Sequence, residues 1–296
     1  MTGGRSLKVA AYLLPTAKSL SGGRDLATRT LSLLRKTARE ELPFDMRVAL
    51  RRWPATARWL ATPPALKKLP PSAFSHVQTT RTSPLRRPGT TYSEPLQQAK
   101  EANVLRAAKG LTGIVVPAGE SFSWHETLGP PLKIRGFELG PELHEGVLAQ
   151  GVGGGLCQVA NMVYWLAITA GMDVVERHRH GLDLFPDSSR DVPFGCGATV
   201  FHPLRDLKFL NPLSVDFLLE LSIESGQLVG RGRMASDPGT RWEVVETHHQ
   251  FRRVGEQIWR ENSLARRVVP TDGPARLEPL TTNRARVLYP VAEAER

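Results

Sequence analysis

One stretch constrains this chain more than any other: Gly151-Val152-Gly153-Gly154-Gly155-Leu156-Cys157-Gln158, with the apolar run behind it to Ala170-Gly171. Val159, Met162, Val163, Leu166, Ala167 and Ala170 recur at helical spacing. Ala160, Tyr164, Trp165 and Ile168 fill most of the remaining directions, so the helix has to be buried on nearly all sides. Gly171 is where a left-handed C-terminal cap belongs. Short strand candidates surround the helix. The expected fold is therefore α+β: a mixed α/β core whose buried central helix packs on mostly antiparallel strands, with a basic helical N-terminal arm and a strand-rich C-terminal appendix.

The same stretch carries the sharpest chemical signal. Cys157 sits in the helix's first turn, against the positive end of the helix dipole, where a thiol's pKa is expected to fall. After Gly171, Met172 to His180 predicts a strand with Val174, Glu176, His178 and His180 on one face and Val175, Arg177 and Arg179 on the other. Thiol acyl transfer needs a thiolate, an imidazole to exchange protons and N–H groups to hold the oxyanion. Cys157 is the nucleophile candidate, His178 or His180 the base, and the N–H groups of Cys157 and Gln158 the oxyanion donors. Glu176, Asp183, Asp187 or Asp191 would orient the imidazole, and the sequence does not choose among them. Three alternatives compete: an inert core thiol behind glycines that only permit close packing; a metal held by Cys157, His178, His180 and either Cys196 or His202; and a phosphate cradle. The last lacks the Lys and Ser/Thr of a nucleotide-binding loop.

Charge divides the chain. The first hundred residues hold 18 Lys and Arg against 5 Asp and Glu, although the whole chain has 39 against 29. Residues 1–88 are thus expected to be either a solvated basic arm or a segment that lies on an anionic membrane surface. No basic–aromatic motif or zinc-finger spacing points to specific nucleic-acid binding. Two cysteines supply no disulfide framework, and no apolar run approaches the ~18 residues of a membrane span. Lys8 to Leu20 is interrupted by Pro15 and Lys18 too early for an export signal. The expected location is cytoplasmic or membrane-peripheral.

Leu26–Glu41 predicts an amphipathic helix, and Met46–Ala61 a second one interrupted by Pro54. Seven prolines between Pro63 and Pro95 predict an extended connector. The expected domains are 1–88, 89–225 and 226–296. In the last of these, Trp242–Thr247, Gln250–Val254, Ile258–Glu261, Leu264–Val269 and Arg284–Leu288 predict an antiparallel meander of short strands.

Gly153-Gly-Gly-Leu-Cys-Gln158 followed by Asn161 and Tyr164, then Val175-Glu-Arg-His-Arg-His180, resembles the VanW family. So do Phe185-Pro-Asp187, Arg190, Pro193-Phe-Gly195, Gly197-Ala-Thr-Val200, Asp206-Leu207, Phe209 and Asn211. Upstream, Pro117, Gly119-Glu120 and Phe122-Ser123 match the family's proline–glycine–glutamate–phenylalanine–serine segment. The resemblance covers about residues 100–222. It implies a cell-wall role and, as in some family members, an L,D-transpeptidase-like activity on peptidoglycan or its peptide precursors. No cofactor is expected, and no metal, since the ligands besides His178 and His180 have no recognisable spacing. The family takes its name from an accessory protein of vancomycin-resistance clusters, so a non-catalytic role in binding precursors or partner proteins is the alternative it implies. Carried over, Cys157 would attack a stem-peptide carbonyl and form a thioester, with His178 and His180 at the matching His-x-His positions. Gly154, Gly155, Gln158 and Asn161 would line the substrate, and Glu176, Asp183, Asp187 and Arg190 would support it. A transpeptidase would place the protein at the cell envelope. Two departures stand out: Gly181 replaces a frequent Ser, and Cys196 occupies a slot usually held by another small residue.

Overall fold

The computed structural model describes residues 44–62, 65–86, 92–144, 147–179, 181–183, 186–187 and 191–291. The chain divides into two units, residues 1–49 and 50–296. Of the first, only 44–49 are described, as the opening of helix α1 (Phe44–Ala61). The expected helix at Leu26–Glu41 lies outside the described residues, as do His180, Phe185 and Arg190.

The second unit contains the VanW-like motifs. Its elements follow in order: β1 (His76–Pro84), α2 (Glu94–Leu111), β2 (Val115–Val116), β3 (Ser121–Ser123), α3 (Trp124–Leu128), β4 (Leu139–His144), β5 (Val147–Val152), α4 (Leu156–Thr169), β6 (Asp173–Glu176), β7 (Leu182–Asp183), β8 (Lys208–Leu210), β9 (Phe217–Glu224), β10 (Gln227–Met234), β11 (Thr240–Val254), β12 (Gln257–Pro270) and β13 (Arg276–Val287). The fold is α+β. One antiparallel sheet has the order β1-β10-β9-β2 and a second has β11-β12-β13-β7, in which only the β13–β7 pair is parallel. A three-stranded sheet β3-β8-β6 and the hairpin β4-β5 complete the unit.

Helix α4 is the buried centre that its composition demands. Val159, Val163, Leu166 and Ile168 are fully inaccessible, and Met162 nearly so. Gly230 on β10 makes room for it, since a Cβ there would press on Met162 Sδ at 2.6 Å and on Leu166 Cδ1 at 3.0 Å. Each such aliphatic side chain contributes roughly 1.5–3 kcal/mol by leaving water. The helix ends as expected, with Gly171 at φ 83° and the Met172 N–H bonded to Ala167 O at 3.0 Å.

Several elements differ from expectation. β1 lies inside the stretch expected to be a connector and pairs with β10 along its length. Its Gln78-Thr-Thr-Arg-Thr82 core favours extended backbone, and the prolines fall at its ends. The C-terminal meander is present, but as three strands of 15, 14 and 12 residues. The breaks expected near Thr247–Gln250 and Glu261–Leu264 are not loops, because the ladder absorbs irregularities at Glu246/His248 and Leu264/Ala265. α1 runs through Pro54, which lies on its exposed side. β6 ends at Glu176, so His178 stands beyond the strand.

Candidate functional site

The glycine turn is held from outside. Gly155 at the helix N-cap has φ 95° and Gly153 has φ 88°, left-handed conformations that side chains resist. Gly154 is needed for a different reason: a Cβ there would collide with the backbone of Gly140 and Pro141 on β4. Asn103 on α2 is fully buried and clamps the turn. Its Nδ2 donates to Gly154 O at 2.9 Å and Glu138 O at 3.0 Å, and its Oδ1 accepts the Glu138 N–H at 2.8 Å.

Cys157 sits in the first turn of α4 and is half-buried, but its sulfur is enclosed enough for desolvation to dominate. Burial pushes the thiol pKa up, aided by Glu142. The Val200 N–H, Arg205 and the Cys157 N–H oppose it without reversing it. The helix start therefore does not depress the thiol pKa as its position led one to expect, and the resting group is a neutral thiol. Gln158 also has another task. Its N–H is bonded to Gly155 O at 3.0 Å and is not free for an oxyanion, because the left-handed Gly155 closes a tight turn there. Its side-chain Nε2 donates to Ser83 Oγ at 3.0 Å and Pro84 O at 2.8 Å, tying the helix to β1. Asn161 Oδ1 accepts the Ala198 N–H at 2.7 Å and so fixes the segment after Gly197.

That segment joins the cysteine to the histidine motif. The Thr199 N–H donates to His178 O at 2.8 Å, and the next amide, of Val200, is directed at the Cys157 sulfur. His178 Nε2 is 3.0 Å from Glu176 Oε1. Among the described residues no imidazole is hydrogen-bonded to the Cys157 sulfur, and His180 lies outside them. Of the four carboxylates the sequence left open, Glu176 is the one on His178. Asp183 and Asp187 instead meet the buried Arg260, at 3.5 and 2.7 Å, and Asp183 accepts from Tyr289 Oη at 2.9 Å. Asp191 pairs with Arg81 at 3.1 Å. The arginines of the motif turn away as the alternation predicts. Arg177 lies over Tyr164 at 4.7 Å and donates to Gly197 O at 2.7 Å, to Gly195 O and to Thr281 on β13 at 3.2 Å, and Arg179 donates to Thr282 O.

Glu176 centres a cluster that the sequence did not reveal. Burial alone would raise its pKa. Hydrogen bonds from His178, Lys208 Nζ at 2.9 Å and the Asp206 N–H at 3.2 Å overturn that and bring it to about 2. Buried Asp206 accepts from Ser123 Oγ at 2.6 Å and from the His125 N–H at 2.9 Å. The rings of His125 and His202 meet edge-on with centroids 5.0 Å apart. Burial lowers both pKa values. For His125 it outweighs the opposing pull of Asp206, and for His202 it acts together with His125, Arg52 and Arg135 to reach about 4. His125 Nε2 and His202 Nδ1 are buried without a hydrogen-bond partner among the described residues. Ser123 and Asp206 both belong to the matched family motifs, which was the only available signal; their spacing of 83 residues hides the contact. Among the described residues no three His, Cys, Asp or Glu side chains converge as a metal site.

With this geometry in view, sequence relationships become informative. A VanW-like protein family model matches residues 99–232. Residues 99–232 of this chain thus form a VanW-like domain. It is 24% identical over 200 residues to the vancomycin B-type resistance protein VanW of Enterococcus faecalis, covering 67% of this chain and 73% of that protein. It is 28% identical over 142 residues to the uncharacterized protein YoaR of Bacillus subtilis, covering 47% of this chain and 44% of that one, so it spans less than half of YoaR. No solved structure matches it. The VanW-like match takes in the glycine turn, Cys157, the histidine motif and the Glu176 cluster, and ends before β11–β13, onto which Arg177 and Arg179 dock.

Proposed function

We propose that the VanW-like domain is a cysteine-dependent acyl transferase or hydrolase acting on peptidoglycan-type peptides through a thioester at Cys157. The observation that carries this reading is the placement of a thiol in the first turn of the central helix, with the Val200 N–H on its sulfur and the charge of Arg205 nearby. With His178 Nε2 donating to Glu176, Nδ1 is the ring nitrogen left to accept a proton. In the first step the Cys157 S–H bond breaks and its proton passes to that nitrogen. Sulfur then bonds to the substrate carbonyl carbon, the C–N bond breaks, and the imidazolium returns the proton to the departing amine. A second amine or water attacks the thioester, its proton leaves by the same route, and the thiol is restored. Because the resting thiol is neutral, proton removal belongs to the substrate-bound state, when the ring and sulfur close on each other. The cell envelope is where cross-linking would place such an enzyme.

A second reading has its own support. The raised thiol pKa and the commitment of His178 to Glu176 suit a non-catalytic domain that binds wall precursors or partner proteins in a glycopeptide-resistance setting. A carbapenem-type acylating probe separates the two. The enzyme reading expects one adduct per chain by intact mass, absent in Cys157→Ala and slowed at least tenfold in His178→Ala. No adduct on folded wild-type protein would leave the binding reading in place.

A further inference from the structure

Helix α1 shows one face to the protein and another to solvent. Its inner face is anchored. Thr56 is buried, Trp59 Nε1 donates to Glu126 O at 2.9 Å, and the Arg135 guanidinium stacks on the Trp59 ring at 4.3 Å. Gly129 has no side chain because the Trp59 ring occupies that space. Turned away from Trp59, Leu50, Trp53, Ala57 and Leu60 fall at i, i+3, i+7 and i+10, one continuous stripe. Leu50 is 63%, Trp53 79% and Leu60 68% exposed. Few folded proteins present three large apolar side chains in a row to water without a partner.

The charges beside the stripe indicate which partner. Arg51 and Arg58 lie along one margin, both exposed, whereas Arg52 falls on the side of Thr56 and Trp59, where its charge reaches His202. A pairing of two copies through this stripe would bring Arg51 and Arg58 against their own equivalents. The chain's own Leu26–Glu41 segment is a poor cover as well, since it carries Arg29, Arg35, Lys36 and Arg39 against Glu40 and Glu41. An anionic lipid surface satisfies both features at once: Leu and Trp enter the headgroup–acyl boundary while the arginines meet lipid phosphates. We propose that residues 50–60 of α1 are an in-plane docking helix for anionic membranes, with Trp53 as its central anchor. The helix's fixed inner face then holds residues 50–296 at the lipid surface whatever chemistry Cys157 performs.

Full-length protein is sedimented with vesicles of phosphatidylcholine alone and of phosphatidylcholine with 30% phosphatidylglycerol, a composition chosen at about a physiological anionic content. Wild type is expected to pellet with the anionic vesicles only. The Leu50→Ser/Trp53→Ser/Leu60→Ser variant should lose at least tenfold in partition coefficient with an unchanged melting temperature, because all three side chains are exposed. Arg51→Glu/Arg58→Glu should lose a similar factor, and brominated lipid should quench wild-type tryptophan fluorescence but not that of the triple variant. Binding undiminished in the triple variant would overturn the proposal in favour of charge alone in residues 1–43. A triple variant that changes only the oligomeric state would overturn it in favour of a second copy.

Discussion

Cys157 and Glu176 are both acids in the VanW-like domain, and for both the largest single influence is loss of solvent. They end on opposite sides of their ordinary values. Glu176 receives an imidazole, an ammonium and a backbone N–H, enough to hold a carboxylate down to about 2. Cys157 receives the Val200 N–H and its own, with Glu142 working against them, and stays protonated. The lesson concerns donors: a helix N-terminus is one modest contributor, and burial beats it unless further donors converge.

The largest expected effect tests the thiol directly. Iodoacetamide labelling of Cys157 should be about a hundredfold slower at pH 7 than at pH 9, because thiolate rises roughly tenfold per unit below its pKa. A labelling midpoint below pH 7 would break the contrast between the two acids. Next in size is Asn103→Ala, which leaves Gly154 O and the backbone of Glu138 without their buried partner. It should cost about 2–4 kcal/mol in a denaturant melt and loosen the turn that presents Cys157. A loss under 1 kcal/mol would show that the glycines hold the turn unaided.

Glu176→Gln probes the other acid. Because its folded pKa is depressed, the carboxylate contributes stability that is fully present above the unfolded value near 4.5 and lost as pH falls towards about 2. Discounted for an exposure of about a third, the contribution is ~1 kcal/mol. The variant should therefore match wild type below pH 2 and fall behind above pH 5; parallel stability curves throughout that range would refute the assignment. Gln158→Ala should give the smallest change, about 1 kcal/mol, by untying α4 from β1. If it instead abolished probe labelling while the fold stayed intact, Gln158 would be contacting substrate.

Helix α4 and its cap at Gly171 were legible because an all-apolar helix admits one environment and a left-handed residue prefers glycine. The Glu176–His178 relation was legible as a shared strand face, although the strand stops at Glu176. β1 was not: prolines at the margins of a strand read like prolines in a linker, and only the ladder with β10 distinguishes them.

The sequence by itself determined a buried helix, the thiol at its first turn, the family motifs and the antiparallel C-terminal meander, since all of these follow from local spacing and backbone preference. The tertiary structure decided the thiol's protonation, the choice of Glu176 over Asp183, Asp187 and Asp191, and the Ser123–Asp206 contact. Those depend on which donors and charges arrive from distant parts of the chain, and electrostatic interactions act through space without regard to sequence separation.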